Sequence, residues 1–206
     1  FSWRCNRIVF GMDKHLIINI GRQFGSGGKS VAVELGRRLG IPVYDNELIT
    51  RAAAESGFGP ELFERSDENK SVFGFSRFGY VTDDNSLFKI QSDTIRKIAS
   101  SGSAIFVGRA SDYVLRDMSC VDVFISAPLH NRVERVCARQ GISAEEAEKL
   151  ISKKDRRRQE YYNFFTFAHW GEAANYDLCI DSSILGIEKT AELIIEFCRV
   201  SGKLPT

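Results

Sequence analysis

The residue types with the clearest chemistry form a glycine-rich segment in the first part of the chain. Positions 21–30 read GRQFGSGGKS, and they directly follow a short apolar run at 16–20 (LIINI). Glycines allow the backbone to approach an anion closely, and the free N–H groups at the start of a helix bind phosphate. The segment therefore predicts a loop for the phosphates of ATP, formed by Gly25, Ser26, Gly27, Gly28, Lys29 and Ser30.

The loop also contains the polar groups that phosphoryl chemistry requires. In a loop of this type a lysine reaches the β- and γ-phosphates and a hydroxyl binds Mg²⁺, which points to Lys29 and Ser30. The spacing is irregular, because Gln23 stands where the usual pattern has a glycine. In the other register, 25–27 (GSG) match and Gly28 occupies the position of the lysine. A glycine-rich turn with a surface lysine is the alternative interpretation.

The elements around the loop follow from hydrophobic periodicity. The predicted strands cover 16–20, 42–45, 104–107, 121–125 and 178–180. The predicted helices cover 31–39, 47–55, 87–101, 129–139 and 187–198. A further helix is predicted to begin at a capping box formed by Ser143 and Glu146 and to run through the basic cluster at 153–158. Strands that alternate with helices indicate a three-layer α/β fold with a five-stranded, mostly parallel sheet. Its central strand is expected to lead into the loop, because ligands bind where the strand order reverses.

The length of the chain indicates one domain with a small inserted lobe. The 206 residues match a single domain, which we place at 12–206, with residues 1–11 as an N-terminal extension outside the fold. Residues 57–85 differ in composition, because they hold five of the fifteen Phe residues together with several Gly and mixed charge. So many aromatic residues argue against disorder, and we interpret this segment as an inserted lobe.

Composition and charge exclude several classes of partner. The formal net charge of +1 gives no general attraction for nucleic acid or an anionic membrane, and no apolar run approaches the ~20 residues of a membrane-spanning helix. The cysteines are odd in number, widely separated and not at metal-ligand spacing, which indicates a reducing compartment. They are Cys5, Cys120, Cys137, Cys179 and Cys198. We expect a cytoplasmic protein without nucleic-acid or membrane partners, and its oligomeric state stays open.

Several segments in the same order resemble the cytidylate kinases, and especially the cytidylate kinase-like group of bacterial P-loop proteins. They are GRQFGSGGKS, PVYDNELITRA, FVGRASDYVL, VFISAPLHNRVERV, KKDRRRQEYY and NYDLCIDSSILGIE. The resemblance implies a P-loop kinase fold and ATP-dependent phosphoryl transfer to a nucleoside monophosphate, with CMP or dCMP as the expected acceptor and Mg²⁺ as the metal. A non-catalytic nucleotide-binding sensor and a P-loop kinase for another small acceptor are the alternatives, and residues 57–85 could carry such a different specificity on the acceptor side.

The resemblance implies three residues that bind the acceptor. Cytidylate kinases carry an aspartate after the second strand and an arginine six residues later, which is the spacing of Asp45 and Arg51. They also carry a Gly-Arg pair at the end of the third strand, which matches 108–109. Asp45 is expected to contact sugar or base, and Arg51 and Arg109 to bind the acceptor phosphate. The alternatives are a helix N-cap for Asp45, an exposed Arg51 and a structural salt bridge for Arg109.

A helical lid at 150–168 is also implied by the resemblance. Asp155 and Arg158 match a D-x-x-R pattern of the family, and with Lys29 they are the expected catalytic residues. Closure of such a lid brings positive charge to the moving phosphoryl group. The lid residues expected to supply it are Lys154, Arg157 and Arg158. A solvated basic helix face is the alternative for this cluster.

The chain departs from the family pattern beside Arg109. Cytidylate kinases usually carry a carboxylate next to the Gly-Arg pair, whereas Val107 and Ala110 stand at these positions. Asp112 is the nearest acid, and it is therefore a second and weaker candidate for Mg²⁺ after Ser30.

Overall fold

The computed structural model describes residues 15–55 and 81–204. The predicted extension at 1–11 lies outside these ranges, as do residues 57–80 of the predicted lobe, so both stay predictions. In the described part of the chain no helix is long and apolar enough to cross a membrane.

Five parallel strands form one sheet in the described residues. Their order is β2-β3-β1-β4-β5, and every neighbouring pair is parallel. The strands are β1 (Ile17–Arg22), β2 (Val43–Tyr44), β3 (Ala104–Val107), β4 (Cys120–Ser126) and β5 (Leu178–Asp181). β3 is an apolar run that is buried along its whole length, as expected of a strand covered on both faces. The predicted parallel sheet is confirmed, and the strand that leads into the glycine loop lies at its centre.

The helices follow the predicted positions with shifts at their starts. Within the described ranges they are α1 (Gly28–Leu39), α2 (Asn46–Glu55), α3 (Val81–Ser101), α4 (Ser111–Val114), α5 (Leu129–Gln140), α6 (Ala144–Thr166) and α7 (Ser182–Val200), with a 3₁₀ turn at Ala173–Asn175. The predicted capping box is present, because the Ser143 hydroxyl accepts from Glu146 N–H and the Glu146 side chain accepts from Ser143 N–H. α7 begins earlier than predicted, because Asp181 caps it through Ser183 N–H before the chain bends at Gly186.

Two hydrophobic cores cover the two faces of the sheet. Alternate residues of β1 point to opposite faces, so Ile18 belongs to one core and Ile17 to the other. The first core also takes Leu35 of α1 and Ile194 of α7, and the second takes Ile95 of α3. This arrangement confirms the three-layer α/β fold. It leaves the carboxyl ends of β1, β2 and β3, and the segments that follow them, at one edge of the sheet.

Candidate functional site

The glycine loop connects β1 to α1 through residues 23–27. Gly25 and Gly27 have φ angles of 80° and 83°, which side chains rarely tolerate. Space is also limited, since a β-carbon on Gly27 would lie 2.6 Å from Ile187 Cδ1 and one on Gly25 would lie 3.0 Å from the Arg132 carbonyl oxygen. The loop therefore has the close-packed, left-handed backbone that an anion-binding turn before a helix requires.

Hydrogen bonds to neighbouring elements hold this backbone in place. The buried Ser26 hydroxyl donates to the Gln23 carbonyl over 2.8 Å. The Ser26 carbonyl accepts from Arg135 Nη1 of α5 over 3.0 Å and from the Ser182 hydroxyl at the start of α7. Gln23 Oε1 accepts from Ala127 N–H over 3.2 Å. These contacts with α5, with α7 and with the segment after β4 restrain the loop backbone, and such restraint lowers the entropic cost of binding.

The predicted lid helix α6 contacts the loop directly. Asp155 Oδ1 accepts from Phe24 N–H over 2.6 Å, and its Oδ2 accepts from Arg132 Nη1 over 2.5 Å. One turn later, Arg158 Nη1 donates to the Arg22 carbonyl over 3.0 Å. Asp155 therefore anchors the loop, and Arg158 reaches the end of the central strand.

The rest of the basic cluster on α6 has a different setting. Lys154 is exposed and Arg157 is partly buried. The neighbouring Arg156 pairs with Glu160 on its own helix and is largely exposed, so this side of α6 is a solvated face. The roles of Lys154 and Arg157 in a lid stay predictions.

On the other side of the loop, Lys29 and Asp45 form an ion pair. Lys29 Nζ lies 2.6 Å from Asp45 Oδ2, while Asp45 Oδ1 accepts from Glu47 N–H and Leu48 N–H at 3.1 Å each. Partial burial raises the pKa of Asp45, but the hydrogen bonds from Lys29 and from Leu48 outweigh it and bring the pKa below its ordinary value. Asp45 is thus a charged N-cap of α2 and a partner of Lys29 at the same time.

Arg109 lies in a turn of unusual backbone conformation. Gly108, Arg109 and Ala110 have φ angles of 79°, 60° and 52°, so two residues with side chains adopt the left-handed region. Such strain concentrates at functional sites. Arg109 Nε donates to Asn46 Oδ1, and its guanidinium carbon lies 5.2 Å from the centre of the Tyr161 ring of α6. Arg109 therefore connects the end of β3 with both α2 and α6. Arg51 lies exposed on α2.

Asp112, the weaker metal candidate, accepts a hydrogen bond from α6. The Tyr162 hydroxyl donates to Asp112 Oδ2 over 2.6 Å. Burial, assisted by the charge of Asp122, raises the pKa of Asp112 to about 6 in spite of that hydrogen bond. Among the described residues there is no group of three or more His, Cys, Asp or Glu that could hold a metal. Mg²⁺ in phosphoryl-transfer sites takes one or two protein oxygens and the substrate phosphates, and the exposed Ser30 hydroxyl on α1 fits that need.

Arg22 is a candidate residue that the sequence reasoning missed. It ends β1, and it lies close enough to Arg158 and Arg109 for their charges to act on it. Burial first, then Arg158 and Arg109, lower the pKa of Arg22 to about 9, while Asp45 and Asp155 offset this only in part. The guanidinium stays protonated at neutral pH. The two arginines repel its positive charge more strongly than the two aspartates attract it. An arginine at the carboxyl end of the central strand was the available signal.

These features define the class of protein. A central parallel strand that leads through a glycine loop into a helix, with arginines near the ends of the strands, is the arrangement of a P-loop kinase. Over residues 17–184 the sequence matches the model of the cytidylate kinase-like family, and the chain belongs to this family.

Individual relatives agree with this assignment. A cytidylate kinase of Methanopyrus kandleri is 26% identical over 190 residues, which cover 87% of this chain and 91% of that protein. The structure of an uncharacterized protein from Eubacterium ventriosum is 28% identical, with a TM-score of 0.69 over 89% of this chain and 98% of that one. A shikimate kinase from Bacteroides thetaiotaomicron is 13% identical with a TM-score of 0.54, over 89% of this chain and 98% of that one, and shows the fold alone.

Loss of the Asp155 charge should destabilise the protein. Asp155→Asn keeps the shape of the side chain but leaves Arg132, which is only 9% exposed, without its counter-charge. We expect the free energy of unfolding in urea to fall by about 3 kcal/mol. Glu145→Gln is the matched control, because it breaks an exposed ion pair with Lys149 on the same helix and should change stability by less than about 0.5 kcal/mol. If both substitutions change the free energy of unfolding by the same small amount, Asp155 does not anchor the loop.

Asp112 should give the stability a pH dependence that one substitution removes. Its pKa is raised from 3.8 to about 6 in the folded protein. The folded state therefore binds the Asp112 proton more tightly than the unfolded state does. The stabilisation that this gives is complete below about pH 4 and is lost as the pH rises through about 6. Between about pH 4.5 and about pH 7.5, we expect the free energy of unfolding of the unmodified protein to fall relative to that of Asp112→Asn, by at most about 3 kcal/mol. Parallel pH profiles of the two proteins in urea denaturation would show that Asp112 is not responsible.

Proposed function

We propose that this protein transfers the γ-phosphoryl group of ATP to a nucleoside monophosphate, with CMP or dCMP as the acceptor. The observation that carries the proposal is the convergence of the glycine loop with arginines from two other elements at one edge of the sheet. Arg158 of the lid helix contacts the carbonyl of the last β1 residue, and Arg109 follows β3. Relatives named cytidylate kinase support the choice of acceptor.

The reaction needs positioning and charge neutralisation without a covalent enzyme intermediate. The bond from the γ-phosphorus to the oxygen shared with ADP breaks, and a bond to an acceptor phosphate oxygen forms. The loop at 25–30 binds the donor phosphates, Arg109 binds the acceptor phosphate, and Lys29 and Arg158 add positive charge. The Ser30 hydroxyl would hold the Mg²⁺ that accompanies ATP, and the metal would supply charge neutralisation at the donor phosphates.

The acceptor is proposed to lie between β2, α2 and the turn after β3. Lys29 and the first N–H groups of α2 fix the orientation of the Asp45 carboxylate, which suits a contact with a sugar hydroxyl or a base amino group. Arg51, on the same helix, adds positive charge for the acceptor phosphate. Asp155 is assigned an indirect part, because its two oxygens hold the loop and Arg132.

A nucleotide-binding sensor without turnover is the second candidate. Two observations favour it: Val107 and Ala110 leave the Gly108-Arg109 pair without an adjacent carboxylate, and the glycine loop has an irregular spacing. In such a protein the same loop would bind ATP, and the contacts of α6 with the loop would report its presence.

An acceptor panel separates these candidates. A coupled assay that detects ADP is run with ATP, Mg²⁺ and each of CMP, dCMP, UMP, AMP, GMP and a set of small alcohols. We expect CMP and dCMP to give the highest kcat/KM. Preference for another acceptor would contradict the proposed substrate, and ATP binding without turnover of any acceptor would establish the sensor.

Kinetics of two arginine variants test the assigned roles. Arg109 follows a strand and should meet the acceptor in the ground state, so Arg109→Ala is expected to raise the acceptor KM at least about tenfold. Arg158 contacts the loop from the lid helix, so Arg158→Ala is expected to act mainly on kcat. The control is Arg37→Ala, which removes an exposed arginine paired with Glu34 in the last turn of α1. If Arg158→Ala keeps the kcat of the unmodified protein, the assigned role of Arg158 is wrong and the basic cluster is a solvated helix face.

A further inference from the structure

The side chain of Arg22 crosses the base of the glycine loop. A β-carbon added at Gly28 would lie 2.6 Å from Arg22 Cβ and 3.0 Å from Arg22 Cγ, so the arginine stem passes the first residue of α1. A β-carbon added at Gly108 would lie 2.8 Å from Arg22 Cζ, so the guanidinium lies against the turn after β3. The two glycines leave the space through which Arg22 extends.

The lysine of the loop points elsewhere. Lys29 Nζ is 2.6 Å from Asp45 Oδ2, and 70% of the Lys29 side chain is exposed. Asp45 follows β2, which β3 separates from the central strand. When the loop is aligned on its GSG segment at 25–27, Gly28 stands at the lysine position. The space that a side chain at this position would enter is filled by Arg22.

The charges around Arg22 favour an anionic ligand. Arg22, Arg109 and Arg158 come from β1, the turn after β3 and α6, and the repulsion from the two other arginines acts on Arg22 more strongly than the attraction of Asp45 and Asp155. The stem of Arg22 passes Gly28 at the N-terminus of α1, whose N–H groups also favour negative charge. A phosphoryl group at this place would put negative charge among the three arginines and offset the repulsion between them.

From this geometry we infer that Arg22 is the cation that binds the transferred phosphoryl group of ATP, in the role that a lysine at position 28 would otherwise have. The inference rests on the proposed kinase activity and adds a residue to the same site. While the γ-phosphorus exchanges the oxygen of ADP for an oxygen of the acceptor, the guanidinium donates hydrogen bonds to the phosphoryl oxygens and keeps its protons. Lys29 then adds its positive charge from the acceptor side of the site, where it pairs with Asp45.

The test compares a triphosphate with a diphosphate. Calorimetry with Mg²⁺ measures the Kd of a non-hydrolysable ATP analogue and of ADP, and the coupled assay measures kcat. The triphosphate preference is the Kd of ADP divided by the Kd of the ATP analogue. We expect Arg22→Ala to reduce this ratio at least about tenfold and to reduce kcat by about 100-fold. Arg22→Lys should retain part of the triphosphate preference and part of kcat, and Arg37→Ala should change neither.

Relocation of the cation gives a second test. Gly28 does not have a positive φ, so its backbone accepts a side chain once the arginine is removed. Gly28→Lys alone should destabilise the protein, because its β-carbon meets Arg22. The double variant Arg22→Gly with Gly28→Lys should bind the triphosphate at least about fivefold more tightly than Arg22→Gly. Equal binding by these two variants would refute the assignment of the lysine's role.

The outcomes separate this inference from the proposed function. Unchanged triphosphate preference and kcat in Arg22→Ala would overturn the inference and leave the kinase activity in place. If the unmodified protein binds neither nucleotide, the proposed function fails and the inference fails with it. If circular dichroism shows that Arg22→Ala is unfolded, Arg22→Gln decides by the same two criteria, because it keeps a polar stem and removes the charge.

Discussion

The arrangement of the site depends on the carboxylate of Asp155. One oxygen accepts from the backbone of the glycine loop at Phe24 and the other accepts from the buried Arg132 of α5. Charge-assisted hydrogen bonds of this kind are among the strong ones in proteins. They fix α6 where Arg158 reaches the end of β1. The helix that supplies a cation to the site is therefore part of the support of the loop itself.

Strain and repulsion are concentrated at the same edge of the sheet. Arg109 and Ala110 adopt the left-handed region, at about 1–3 kcal/mol each, and Arg22 faces the charges of two other arginines. Burial of the apolar side chains on both faces of β1 stabilises the fold and offsets this backbone strain and charge repulsion. Hydrogen bonds with α5 and α6 fix the backbone of the loop, and fixed donors are the condition for electrostatic stabilisation of an anion.

Much of the fold could be predicted, because its signals are local. The apolar runs identify all five strands of the described sheet, and the sequence of the capping box places the start of α6. The end of β1 was missed, since Gly21 and Arg22 carry no apolar signal. The roles of the site residues depend on contacts between distant segments: Phe24 and Asp155 are 131 positions apart. The D-x-x-R pattern identified Asp155, but no local pattern could show that its partner is the loop. Asp45 caps α2, which is the alternative that its sequence position offered, and it also pairs with Lys29, which no local pattern indicated.

The packing of one arginine against two glycines links three positions of the chain in their tolerance of mutation. A β-carbon at 28 would lie 2.6 Å from Arg22 Cβ, so a side chain at 28 requires glycine at 22. A side chain at 108 is strained by the φ of 79° whatever residue stands at 22. The order of substitutions therefore matters at position 28, where a side chain is unfavourable before residue 22 becomes glycine and tolerated after it. In a diverging lineage, the change at 22 has to precede any change at 28, while 108 stays glycine.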